Sequence, residues 1–148
     1  IVDAAMRQLR TTNRMHNRCR MIVASFLTKD LLIDRRRGER EFENRLLDYD
    51  FPVNLGNRQR AASVGADPKP LRIFNPILQS QRFDPDAEFI KKRIPELAHH
   101  SPAEIHDPLT HRLDRHEPVI DHFAASRAAK SAYIDKTPLP AGLFDTEN

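Results

Sequence analysis

The chain has no tryptophan, one cysteine, four glycines and no long apolar run. A lone Cys19 excludes an internal disulfide and any cysteine-based metal motif, and it fits a reducing compartment. The greasiest stretches, Met21 to Leu27 and Leu31 to Ile33, are broken by Ser, Thr, Lys and Asp. They fall well short of the roughly 20 apolar residues a membrane helix needs. No secretory or import leader pattern is found, and the first residue is Ile rather than Met, as expected of a processed or trimmed end. No phosphate-cradling glycine loop, nucleophile elbow or Ser-His-Asp pattern occurs. Six of the seven histidines lie between His99 and His122, without cysteine or an acid-backed i,i+4 pair, so a zinc centre is the weaker reading. The expectation is a soluble, intracellular protein with no membrane contact.

What remains is a chain of 148 residues, 39% hydrophobic, long enough for one domain with a thin core. Its charge is uneven. Residues 1 to 60 carry 13 Lys and Arg against 8 acids, whereas residues 61 to 148 carry 11 against 13. The basic half is almost wholly arginine, with Lys29 its one lysine. Planar guanidinium forks pair with phosphate and stack on bases, which suits an Arg-rich nucleic-acid binder. Interspersed acids equally suit a plain solvated face.

Period and punctuation predict helices and no strand. Val2, Ala5, Met6 and Leu9 mark a helix over residues 1 to 10, broken at Thr11-Thr12-Asn13. A second runs from about Arg14 to Ile33, its stripe formed by Met15, Cys19, Ile22, Phe26 and Ile33. That pattern makes it central to a bundle, with Cys19 packed inside. Asp34 caps a third, from Arg35 to Leu47, a surface helix whose seam is Phe42, Leu46 and Leu47. Residues 48 to 83 show no sustained period and read as a long irregular loop of functional kind. Asp84-Pro85-Asp86 starts another helix, with Asp84 as cap, and Lys91-Lys92-Arg93 suit its end. Ser101-Pro102-Ala103-Glu104 is a capping box. The last helix spans His122 to Ile134, with Ala124, Ala128 and Ala132 on one flank and Ala125, Ala129 and Tyr133 on the other, small enough for close packing on both. The fold class is all-α. One domain over residues 1–136 and a flexible tail over 137–148 are expected.

One cluster carries chemistry. Asn17, Arg20 and Met21 fall within about one turn of a central helix. A buried arginine needs a carboxylate, and Asp48 and Asp50 are the nearest supply. Such a pair is either structural or the mark of a ligand site.

The order of motifs adds to this. Met15-His16-Asn17-Arg18-Cys19-Arg20-Met21, then Lys29-Asp30-Leu31-Leu32-Ile33-Asp34, then Leu46-Leu47-Asp48-Tyr49-Asp50, Asn54 and Arg72-Ile73-Phe74-Asn75-Pro76 closely resemble the FAD-binding helical domain of the DNA photolyase/cryptochrome family. The likeness runs from residue 1 to about 135, ending on Ile105-His106-Asp107-Pro108 and Pro118-Val119-Ile120-Asp121-His122. It implies a helical bundle equivalent to the later half of that domain. FAD is the implied cofactor, contacted by Asn17 beside the ring, Arg20 paired with Asp48, Asp50 at the flavin edge and adenine side, and Asn54 near flavin N5. DNA is the implied partner, reached by Asn17, Arg18, Met21, Arg60 and Gln79. The parent reaction is light-driven splitting of pyrimidine dimers by an electron from reduced FAD.

The departures are systematic. Arg14, Arg35, Arg58 and Arg60 stand at the family's tryptophan positions, as Arg37 does for many members. Asn13 and Asn57 replace glycines and Leu55 a polar residue, while Glu41 and Glu43 replace an aromatic and an apolar residue. Arg35 and Arg58 sit where the resemblance implies an electron relay, and arginine has no accessible one-electron oxidation. The family's upstream antenna domain and first helical half, with the phosphate-holding Thr/Ser turn, have no counterpart here, so FAD would meet half a pocket. The resemblance therefore implies a flavin- and DNA-associated module, inactive as a photolyase alone, with no catalytic residue assigned. Polar residues at former aromatic positions suit a trimmed domain with a resurfaced face. The alternatives are a structural subunit whose protein partner covers the helix at 34–47, or an Arg-rich nucleic-acid binder.

Overall fold

A computed structural model describes residues 1–50, 52, 73–111, 113 and 118–134. Every regular element among them is helical. The expected 136/137 domain limit and residues 137–148 lie outside the described residues.

Helix α1 (Val2–Thr12) is the shared wall of two small cores. Its neighbours Ala4 and Ala5 face different ones. Ala4 packs with Ala87, Ile90, Ile94, Leu97, Ile105 and Leu113. Ala5 and Leu9 pack with Met15, Val23, Phe42 and Leu46, with Cys19 half-buried at the edge. The helix runs two residues past its expected end. The hydroxyls of Thr11 and Thr12 donate back to the carbonyls of Arg7 and Gln8 at 2.9 and 2.8 Å, so the threonines extend the helix. Asn13 then stops it in the left-handed conformation, φ 54°.

Helix α2 (Asn17–Ser25) starts three residues later than expected. His16 is extended and accepts from the Arg18 amide through Nδ1, which makes it the cap. Beyond Ser25 the helix widens into a π-helical turn, Phe26–Asp30, closed by Leu31 N–H donating to the Phe26 carbonyl at 3.0 Å. One extra residue in the turn rotates the face that follows. Thr28, Lys29 and Asp30 therefore turn inward, while Phe26 and Ile33, expected in the apolar stripe, are only half-buried.

Helix α3 (Arg35–Arg45) is capped by Asp34, which accepts from the Arg36 amide at 2.9 Å. It lies close to the π turn at Gly38, where a Cβ would meet Leu27 Cδ2 at 2.5 Å. Phe42 and Leu46 are buried, but Leu47 is 71% exposed and not part of the seam. The helix ends at Arg45, the chain turns extended at Leu46, and the next side chain points away. Arg35 pairs with Glu39 at 2.7 Å and Arg45 with Glu41. Arg37 and Glu43 are exposed, and none of Arg35, Arg37, Glu41 and Glu43 lies in a dry core.

The expected irregular stretch contains helix α4 (Pro76–Phe83). Its start signals are local: Asn75 Oδ1 accepts from the Ile77 and Leu78 amides, and Pro76 holds the first helical position. Residues 53–72 are outside the described residues. Helix α5 (Glu88–Arg93) begins later than Asp84-Pro85-Asp86 suggests. Ala87, at φ 55°, precedes it, and Asp84 still caps it from a distance by accepting from the Phe89 and Ile90 amides at 3.0 Å each. A 3-10 turn (Pro95–Leu97), α6 (Pro102–His106) with the expected Ser101–Glu104 capping box, and α7 (Pro108–His111) follow.

Helix α8 (His122–Ile134) packs on the π turn through one flank only. Ala125 and Ala129 are buried, whereas Ala124 and Ala128 are exposed, so close packing is not used on both sides. Two polar contacts seat it: His122 Nδ1 on the buried Asp30 carboxylate, and Lys29 Nζ 3.4 Å from the Tyr133 ring centroid.

Candidate functional site

The carbonyl of Asn13 accepts from the Leu47 amide at 3.0 Å. That bond brings the segment after α3 back to the end of α1 and the start of α2. Asp48 then meets Arg20. Arg20 Nη2 donates to both Asp48 oxygens at 2.8 Å, and Arg20 Nε donates to the Met15 carbonyl at 2.7 Å. The guanidinium is therefore held at two edges, with the single nitrogen Nη2 bridging both carboxylate oxygens. Its side chain is 19% exposed and the Asp48 side chain 65%. The Arg20 hydrogen bond holds the Asp48 carboxyl below its usual range, with Arg14 adding to the field. A pair this open to water contributes little stability, of the order of 0.2–1 kcal/mol.

Around the pair lies an open cleft of about 470 Å³, lined by Gln8, Arg14, Met15, His16, Arg20, Leu47 and Asp48. That is the size of a small-molecule site. Gln8 Oε1 is shut off from water and has no hydrogen-bond donor among the described residues. A larger groove of about 650 Å³, between α1, α4, α6 and residues 118–122, is mostly apolar and lacks such an ion pair among its described residues.

The structure brings Asn17, Arg20 and Met21 together on α2, and Asp48 onto Arg20. Asn17 is exposed at the first helical position, and Met21 is half-buried. Asp50 is exposed and does not line the cleft. Arg18 leans on Phe83, its guanidinium carbon 4.6 Å from the ring centroid. Gln79 is half-buried on α4, and its Oε1 also lacks a donor among the described residues. Asn54 and Arg60 lie outside the described residues. Gln8, His16 and Leu47 join the cleft without having been candidates on sequence grounds. Gln8 and Leu47 carry no sequence signal beyond a polar residue next to the core-facing Leu9 and an apolar residue next to an acid.

The family described as the FAD binding domain of DNA photolyase matches residues 1–135. The chain belongs to that family. A deoxyribodipyrimidine photo-lyase of Synechococcus sp. is 50% identical over 136 residues, which is 90% of this chain and 28% of the relative. The photo-lyase of Escherichia coli is 48% identical, covering 90% of this chain and 30% of its own length. Among solved structures, an archaeal photolyase from Sulfolobus tokodaii with two FAD molecules superposes with a TM-score of 0.83 at 40% identity, over 89% of this chain and 31% of that one. A Synechocystis cryptochrome superposes with a TM-score of 0.80 at 36% identity, over 86% and 29%. The chain thus spans less than a third of the length of these photolyase-family relatives. No helix of the described photolyase-like bundle is long and apolar enough to cross a membrane.

Proposed function

We propose that this chain is a flavin- and DNA-associated module of the photolyase/cryptochrome type, with the Arg20–Asp48 cleft as its share of the flavin site. The observation that carries the reading is the doubly held Arg20 guanidinium at the wall of a ligand-sized cleft. The donor set fits a flavin. Arg20 presents fixed positive charge and Asp48 carboxylate oxygens toward ring N–H and carbonyl groups. The resemblance adds Asn17, Asp50 and Asn54 as candidate flavin contacts, although Asp50 does not line the cleft and Asn54 lies outside the described residues. Bound and reduced, FAD would supply the electron for dimer splitting, the parent reaction of the family. This chain's residues would orient it; none is assigned a catalytic step. With no tryptophan, the chain offers no indole to pass electrons onward.

DNA is the proposed partner on the side of Asn17, Arg18, Met21 and Gln79; Arg60, a further candidate by the resemblance alone, lies outside the described residues. The i,i+4 pairs Arg35–Glu39 and Glu41–Arg45 satisfy α3 internally, which favours a solvated face there over a docked protein.

The test is a titration of the purified chain with FAD, followed by visible absorbance and flavin fluorescence. The expected result is saturable binding that Arg20→Gln weakens about tenfold or more. Flavin spectra unchanged at the highest protein concentration would overturn the flavin reading.

A further inference from the structure

We infer that the apolar groove along α1 is a binding site for an amphiphilic monoanion, a fatty-acid-like carboxylate with its alkyl chain in the groove and its head group on Arg10. The groove is separate from the Arg20–Asp48 cleft, with which it shares no lining residue. Its volume of about 650 Å³ is that of a small-molecule site. On α1 the wall includes Val2, Met6 and Arg10, each four residues from the next, so they lie in one stripe about 12 Å long. Ile90, Ile94 and Leu97 add branched apolar side chains to the same wall, and Leu109 reaches it while 40% exposed. An elongated apolar wall suits an extended chain.

The polar groups in the wall decide the chemistry. Ser80 and His106 are both buried and bonded to each other, with Ser80 Oγ 2.6 Å from His106 Nδ1. His106 Nε2 lies 3.1 Å from the Pro85 carbonyl, which can only accept. That places the neutral ring's proton on Nε2, so Nδ1 accepts from the Ser80 hydroxyl. His122 directs Nδ1 at the buried Asp30 carboxylate, and Asp3 accepts from Arg7 at 3.1 Å. These groups are spent on the protein itself, so a ligand lying along them has to be apolar there. Arg10 differs. Among the described residues, the arginines held by carboxylates are Arg7, Arg20, Arg35 and Arg45. Arg10 is not among them; it is exposed, and it is the one Lys or Arg of the described lining. Its guanidinium keeps its donors for a ligand. One cation balances one negative charge. That matches a carboxylate better than a phosphate monoester, which carries about −1.5 to −2 at neutral pH.

The experiment is isothermal calorimetry of the full chain, without flavin, against decanoate below its micelle concentration, its shorter homologue octanoate and the uncharged 1-decanol. Decanoate is expected to bind about tenfold or more tighter than octanoate, which buries two methylenes fewer. Arg10→Gln should weaken decanoate about tenfold and leave 1-decanol unchanged. Leu109→Asp, at a partly exposed position on α7, should weaken both. Arg127→Gln, an exposed arginine on α8, should weaken neither. Circular dichroism verifies that each variant is folded. Equal affinity for the two acids, no loss with Arg10→Gln, or no binding by the wild-type chain overturns the proposal. So does a wild-type dimer in sedimentation that persists in decanoate without heat of binding, which would mark a second copy as the occupant. Displacement of FAD by decanoate would place the acid in the Arg20–Asp48 cleft and overturns it too. Because the calorimetry contains no flavin, its failure leaves the FAD titration to judge the flavin reading separately.

Discussion

Arg20 donates through one nitrogen to both oxygens of Asp48, at 2.8 Å each, across 28 residues of chain. The same guanidinium is held from the other side by the Met15 carbonyl. The contact orients a cation at the wall of the cleft, and its worth lies in position more than in stability.

That distinction can be measured. The Asp48 carboxyl has its folded pKa depressed by Arg20, so the stability it contributes is present above the ordinary carboxylate range and is lost as pH falls through the depressed value. Urea unfolding of wild type and Asp48→Asn should differ by no more than about 1 kcal/mol at neutral pH, because the pair is solvent-screened. The difference should shrink toward zero in acid below the ordinary value of 3.8. FAD affinity should fall far more than stability does.

Lys29 behaves in the opposite sense to a stabilising charge. Burial lowers its pKa from 10.5 to about 8. Between those values the unfolded chain binds the proton more fully than the folded one, so stability rises with pH across that window. The rise should total about 1–3 kcal/mol, since a tenfold change in proton affinity is worth about 1.4 kcal/mol and the contact with the Tyr133 ring favours the charged form. Lys29→Met should flatten this part of the profile. A wild-type stability that falls between pH 8 and 10.5 relative to the variant would contradict the burial argument.

The seat of α8 depends on Asp30 and His122. Asp30 is 2% exposed, and its second oxygen has no partner among the described residues. His122→Ala would leave that carboxylate buried and uncompensated, so a loss of about 3–5 kcal/mol is expected. Amide exchange should show α8 opening before the two cores. Equal exchange rates in α8 for wild type and variant would show that the apolar contacts of Ala125 and Ala129 suffice.

Leu9 and Leu47 make a contrasting pair. Leu9 is fully buried, and Leu9→Ala should cost about 2–5 kcal/mol. Leu47 is 71% exposed at the cleft, and Leu47→Ser should change stability by no more than about 0.5 kcal/mol. If Leu47 borders the flavin, that substitution should nonetheless weaken FAD binding, measured in the same titration. A large stability loss at Leu47 would mean that it packs in a core after all.

Local chemistry makes much of this molecule legible. Asp34, Ser101 and Asn13 end or start helices by bonds to residues a few positions away, and such signals need no tertiary context. The Arg20–Asp48 pair is foreseeable because a buried arginine requires a carboxylate. Helix α4 is harder to see, because its Asn-Pro start follows directly on an unpatterned stretch and is masked by it. The π turn escapes period counting, which assumes a constant turn, and one extra residue reverses which of Phe26, Lys29, Asp30 and Ile33 face inward.

By itself, the sequence determined an all-helical chain, several helix caps, its family and the identity of its charged pair, because those follow from neighbours in sequence or from ordered motifs. Only the tertiary structure decided that Leu47 points outward at a cleft, that Gln8 lines the same cleft from α1, that α8 packs by one flank, and that Arg18 leans on Phe83. Those relations depend on where distant segments meet, and no short-range pattern encodes a meeting between α2 and α4.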